Sequence, residues 1–220
     1  MSTRKDPFIT GEYYHVFNRG IEKRNIFVDV LDVERFLESM RLFNSADPIG
    51  SLFELSFNKT EKLGGLTAKS KKLADFVAYC VNPNHYHFIL RQLRDGGISE
   101  LMKRLGGYTW YFNNRHKRVG SLFQGTFKSV YIDSNDYLLH LSSYVNLNDK
   151  THQLGGLTAK LVRSSWDEYV GKSKGFCKKG VILNQFRNKK EYKKFAEDAL
   201  KIILDRKRGD DFNDLFLDLD

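Results

Sequence analysis

The order of elements read from this sequence predicts an α+β fold: a ferredoxin-like antiparallel sheet with helices on one face, followed by a helical C-terminal extension. Three observations carry that expectation. Strand-like stretches fall at 12–18, 76–81, 85–90 and 127–132. Runs with helical spacing lie between and after them. A proline turn, Asn82-Pro83-Asn84, joins two of the strands as a hairpin. The chain has 220 residues, 41% of them hydrophobic, which suits one sizeable core with appendages.

Taken in order, Glu12–Asn18 reads as a strand that Arg19-Gly20 ends. Asp32 is placed to cap a helix whose apolar residues are Val33, Phe36, Leu37, Met40 and Phe43. Ser51–Phe57 alternates as a strand, and Phe76–Val81 is another. His85–Leu90 is its hairpin partner. Ile98–Phe112 reads as one helix with Leu101, Met102, Leu105, Tyr108 and Phe112 inward, although Gly106-Gly107 weakens its middle. Phe127–Ile132 is a strand. Ser134 caps a helix from Asn135 to about Asn148. A last helix runs from Lys189 to Leu204 with Tyr192, Phe195, Ala199 and Ile202 on its stripe. The expected division is 1–150 for the α+β domain and 151–220 for the extension, whose tail is acidic.

Net charge is +9, and residues 210–220 hold five aspartates and no Lys or Arg, which leaves +14 on the remainder. A basic body with 14% aromatic residues points to a polyanionic partner, foremost nucleic acid. Lys103, Arg104, Arg115, His116, Lys117, Arg118 and Lys128 cluster around the third helix and the strand after it. Tyr108, Trp110 and Tyr111 are interleaved with them, a mixture suited to phosphate tracking and base stacking. Lys172, Lys174, Lys178 and Lys179 make a second basic run. No apolar run approaches the ~18 residues of a membrane span, and the N-terminal MSTRKDPFIT has no apolar signal region. Two cysteines, Cys80 and Cys177, make neither a disulfide framework nor a four-cysteine zinc site. A reducing, cytoplasmic setting is expected.

One heptapeptide occurs twice: Leu63–Lys69 and Leu154–Lys160 both read LGGLTAK. Their flanks do not match, so they are not solenoid repeats. Both are expected in connections, as loop decoration.

The chemistry centres on Asn84-His85-Tyr86-His87. On a strand, residues i and i+2 share a face, so His85 and His87 point the same way, about 7 Å apart along the chain, and can converge on one cation. Two ligands do not complete a site. On the helix expected at 135–148, Tyr137, Leu141, Tyr144 and Asn148 share a face, and Asn148 is placed to be a third ligand with Tyr144 beside it. Two imidazoles and an amide leave most of an ion's charge uncancelled, which suits Mg²⁺ or Mn²⁺ better than zinc.

These segments, taken together, resemble a known family. Asn84-His85-Tyr86-His87 followed by Phe88-Ile89-Leu90 resembles the histidine–hydrophobic–histidine (HUH) motif of single-tyrosine transposases. Tyr14–Gly20 resembles their first strand, and Gly120–Ser129 their Gly-x-Leu-Trp-Gln-Gly-x-Phe-Lys-Ser stretch, with Phe123 in place of Trp. Tyr144-Val145-Asn146-Leu147-Asn148 resembles the tyrosine helix, with Asp149 where the family usually has Pro. Trp166–Tyr169 and the final helix resemble the REP-associated branch. The resemblance runs in order from about residue 12 to 204. It implies an endonuclease and strand transferase for single-stranded DNA beside a hairpin, acting in transposition and recombination. Tyr144 would form a 5′-phosphotyrosine, His85, His87 and Asn148 would hold a divalent metal, and Arg19 and the basic cluster would hold DNA. His15 reads as a satisfied core histidine, with a further active-site role as the alternative. Some relatives are homodimers that exchange the tyrosine helix, whereas the REP-associated branch resembles a monomer acting in cis. Two other readings fit the residues: a non-catalytic nucleic-acid-binding module of ferredoxin-like fold, and a metal phosphodiesterase without a covalent intermediate. A domesticated nuclease without transposition is a further variant of the first reading.

Overall fold

The structure, a computed structural model, describes residues 7–47, 71–152 and 156–208. The expected strand at Ser51–Phe57, the first heptapeptide copy and the acidic tail lie outside the described residues.

The chain begins with β1 (Tyr13–Arg19), crosses through α1 (Val30–Leu42) and returns as the hairpin β2 (Ala74–Asn82) and β3 (His85–Gln92). Next come α2 (Gly97–Gly106), α3 (Tyr108–Arg115) and β4 (Lys128–Tyr131). Then follow α4 (Asn135–Asn146), the single turns α5 (Asn148–Thr151) and α6 (Gly156–Ala159), and a two-residue strand β5 (Arg163–Ser164). The short α7 (Trp166–Tyr169) and α8 (Gly180–Leu183) precede the long α9 (Lys189–Arg208). The strands form one sheet in the order β4-β1-β3-β2-β5, every neighbouring pair antiparallel. Inserting β3 between β1 and β2 is the split βαβ arrangement of a ferredoxin-like core. The α+β class and the antiparallel sheet are as the sequence predicts.

The helices, expected on one face, lie on both. Alternation along the strands explains why two cores are needed. Tyr14, Val16, Tyr86, Phe88 and Leu90 point to one side and pack with α1, α2 and α3. Ala78, Cys80 and Ile89 point to the other and pack with Leu141, Tyr144 and Val145 of α4 and Tyr192 and Ala196 of α9. Helical periodicity identifies an apolar stripe but not which side of the sheet it covers. The near-complete burial of β2 and β3 is the mark of central strands covered twice.

Three further differences have local causes. Asp29, not Asp32, is the N-cap of α1, accepting from the Asp32 backbone N–H at 3.1 Å, while the Asp32 carboxylate reaches back to the Val28 N–H at 2.9 Å. This reciprocal pair is a shifted capping box. The helix expected over Ile98–Phe112 is two helices that meet at Gly107, so the glycine pair marks a break. In α9 the buried stripe is Tyr192, Ala196, Ala199 and Ile203, while Ile202 is 52% exposed.

The described residues after Asn148 continue the same core. β5 pairs with β2 through Cys80 and Ser164, and the Tyr169 hydroxyl donates to the Val77 carbonyl at 2.9 Å. The second heptapeptide copy, in its described part, forms the exposed turn α6.

Candidate active site

The site lies on the sheet face covered by α4 and α9. Antiparallel register aligns its cross-strand rows: Arg19 lies opposite His85, which lies opposite Asn82. Lys128 lies opposite Phe17, then His87, then Cys80. Directly paired residues point to the same face, so both histidines, Asn82, Arg19 and Lys128 share one. His85 and His87 are adjacent as expected, with ring centroids 5.2 Å apart. His87 is fully buried, and His85 is half-buried.

The far nitrogen of each imidazole is engaged. Nδ1 of His85 lies 2.6 Å from Asn84 Oδ1, an oxygen that can only accept, so Nδ1 carries the proton. Neutral His85 then presents its Nε2 lone pair inward. Nδ1 of His87 lies 2.9 Å from Nε2 of His15 on β1. Burial lowers the His15 pKa to about 3, which keeps that ring neutral. With the Nδ1 proton on His87, His15 accepts and His87 also turns Nε2 toward the pocket. Histidine ligands of metals are ordinarily held this way, with the second ring nitrogen donating to a fixed acceptor.

Tyr144 and Asn148 arrive from α4 and α5. The sequence places them one turn apart on one helix; the structure separates them. The backbone at Leu147 leaves helical values (φ −114°, ψ 21°), ending α4, and a new turn starts at Asn148. The break redirects the amide: Asn148 Oδ1 lies 2.9 Å from His85 Nε2 and 2.5 Å from Asn82 Nδ2. The Tyr144 ring stands edge-on to His87, with centroids 5.5 Å apart at 82°. Tyr144 and Asn148 are both buried. Asn146 ties α4 to its surroundings, donating to the Tyr192 hydroxyl at 2.8 Å and accepting from the Ser165 hydroxyl at 2.6 Å.

The chemistry of the donors fits a divalent cation. In the neutral, Nδ1-protonated form of His85, Nε2 and Asn148 Oδ1 present lone pairs to each other at 2.9 Å, whereas a proton on Nε2 joins them as a hydrogen bond. Asn148 Nδ2 is buried without a hydrogen-bond partner. Among the described residues no three His, Cys, Asp or Glu side chains form a metal cluster, so an ion here would rest on imidazoles and amides. Mg²⁺ and Mn²⁺ accept such nitrogen and oxygen donors together with water.

Three residues beside the site were not singled out by sequence. Asn82 and Asn84 flank the turn; Asn82 reads there only as a turn former, and Asn84 opens the histidine motif without a role of its own. His152 packs its ring on His85, with centroids 4.8 Å apart; nothing in its sequence setting signals that contact.

The basic residues divide. Arg104 donates to the Phe43 and Ser45 carbonyls at 3.1 and 2.7 Å and pairs with Glu100 at 2.8 Å. Arg115 pairs with Asp29 and with fully buried Asp32, each at 2.7 Å, and His116 closes on Asp32 at 2.9 Å. Arg118 bonds Asn113 Oδ1 and the Ser121 carbonyl. These guanidinium groups brace α1, α2 and α3 on the face away from the histidines. Lys103 is exposed beside Glu100, and Lys117 is exposed. Arg19 and Lys128 are the two that share the histidine face. Of the expected stacking aromatics, Tyr108 is buried with its hydroxyl on the Ile26 carbonyl, Tyr111 lies under Arg35, and Trp110 is 67% exposed.

No family model and no curated protein matches this chain. Among solved structures, it is similar to a REP-associated tyrosine transposase bound to a REP hairpin, with 15% sequence identity over 78% of this chain and 87% of that one and a TM-score of 0.46. Among the described residues no helix is long and apolar enough to cross a membrane.

Proposed function

We propose that this chain is a metal-dependent endonuclease and strand transferase for single-stranded DNA, of the transposase type, with Tyr144 as nucleophile. The observation that carries the reading is the meeting of Tyr144, Asn148, His85 and His87, from separate segments, on one face of the sheet. The sequence resemblance to single-tyrosine transposases supports the same assignment from the order of the motifs.

The Tyr144 oxygen attacks a backbone phosphorus. The P–O bond to the 3′ oxygen breaks, leaving a 3′-hydroxyl and a 5′-phosphotyrosine. A later 3′-hydroxyl reverses the step, so the bond energy is conserved. His85, His87 and Asn148 would hold Mg²⁺ or Mn²⁺, which when bound polarises the phosphate and offsets its developing charge. His15 and Asn84 keep the two imidazoles in the required tautomer. Packing of α4 against α9 holds the phenol beside His87 and keeps water from that side. His85 is the more exposed of the pair, and Arg19 stands opposite it in register. DNA therefore approaches from the β1–β4 side, where Arg19 and Lys128 meet its phosphates, with Lys103 and Lys117 as outlying contacts. The substrate is a single strand carrying a hairpin, the setting is the cytoplasm, and the chain works as a monomer or homodimer.

Incubation with a hairpin-bearing single strand and Mn²⁺ is expected to give a covalent protein–DNA band that Tyr144→Phe reduces by at least about 10⁴-fold. An undiminished band would reject the tyrosine assignment; cleavage that persists without any covalent band would favour a simple phosphodiesterase. The alternative of a non-catalytic binding module requires an open sheet for base stacking. Helices on both faces argue against it.

A further inference from the structure

Asn82 has no role in the assignment above, yet it is fully buried in the site. Its side-chain amide lies 2.8 Å from His85 Nε2 and 2.5 Å from Asn148 Oδ1, and those two atoms are 2.9 Å apart. Three polar atoms from β2, β3 and α5 thus form a closed triangle. Ligands at about 2.0–2.1 Å from an octahedral ion stand about 2.8–3.0 Å from one another at right angles. The triangle has nearly the size of one face of that octahedron.

Hydrogen-bond arithmetic explains how this holds together without a cation. An NH₂ group donates twice. Asn82 Nδ2 can therefore satisfy His85 Nε2 and Asn148 Oδ1 together, while the contact between those two acceptors stays without a hydrogen. The oxygen of the same amide faces the Cys80 thiol at 3.6 Å, a weak contact. A half-turn of the amide would exchange the two ends: Oδ1 would enter the triangle, and Nδ2 would face the sulfur, itself a weak acceptor.

We propose that Asn82 is an additional metal ligand, whose amide nitrogen bridges His85 and Asn148 when the ion is absent and whose oxygen joins them when it is present. The ligand set becomes His85, His87, Asn82 and Asn148. This assignment rests on the metal-site reading under Proposed function.

The two are separable by direct Mn²⁺ binding, followed by the electron paramagnetic resonance signal of unbound Mn²⁺, on the full chain without DNA. Wild type is expected to bind and His85→Ala to lose binding. Asn82→Leu, of the same branched shape but with no donor atom, should weaken affinity by at least about tenfold. Asn82→Asp, which supplies a charged oxygen, should tighten it. If Asn82 acts only as an N–H bridge that competes with the ion, Asn82→Leu will bind as tightly as wild type or more tightly, which overturns this proposal and leaves the metal site standing. If wild type binds no Mn²⁺, both readings fall. Circular dichroism establishes folding of each variant; should Asn82→Leu not fold, weaker binding by Asn82→Asp is the overturning result.

Discussion

The two faces of the sheet use the same strands for opposite purposes. On β3, Tyr86, Phe88 and Leu90 face α1, α2 and α3, while His85 and His87 alternate with them toward α4. The first face is mainly aromatic and aliphatic, with Phe36 in ring contact with Tyr86, Phe88 and Tyr108 and Tyr86 stacked on Phe88; its buried Gln92 and Asp32 are hydrogen-bonded. Each fully buried apolar side chain contributes about 1.5–3 kcal/mol. The second face buries imidazoles and amides that must each find partners, because an unsatisfied buried polar group costs about 1–3 kcal/mol. Both faces bury an apolar core, but the imidazoles and amides of the candidate site lie on the second, one residue apart in sequence from the aromatic row of the first.

Adjacent residues test that division most directly. Phe88→Ala should lower stability by about 3–5 kcal/mol, read by denaturant unfolding, and leave the Mn²⁺ affinity of the folded protein unchanged. A large loss of affinity there would mean the faces are coupled. A smaller effect is expected at His15. His15→Phe fills the same space but removes the acceptor that holds His87 Nδ1, and should weaken Mn²⁺ binding about tenfold with little loss of stability. His15→Gln, which keeps an acceptor, should recover part of it. The smallest effect separates the basic residues. Lys128→Ala should weaken single-strand binding a few-fold and reduce the slope of log affinity against log salt by about 0.7. Arg118→Ala should leave that slope unchanged, since its donors are spent on Asn113 and Ser121.

The sequence made the strands and the shared face of His85 and His87 legible, because period-2 alternation is a local property. It placed Asn148 and Tyr144 in the right neighbourhood through motif spacing alone. The break at Leu147 escaped it, since nothing in Tyr-Val-Asn-Leu-Asn is a helix breaker and the ending depends on how α4 and β2 are packed. The partners of the basic cluster escaped it for a related reason. Composition counts guanidinium groups but does not reveal that buried Asp32 and the Phe43 and Ser45 carbonyls have already engaged Arg115 and Arg104. Asn82 was hidden by its place in a proline turn, where asparagine has an ordinary explanation. Only the register across β2 and β3 brings it beside His85.

The interruption at Leu147 also governs how such a protein can change over time. In an unbroken helix, rotating the cylinder by one position would swing the phenol and the amide together by about 100°. Here Asn146, Ser142 and Tyr192 set the aim of one, while the turn closed by Thr151 on the Asn148 carbonyl sets the other. Drift in the α4–α9 packing can then re-aim the phenol without disturbing the amide beside His85, and the reverse holds as well.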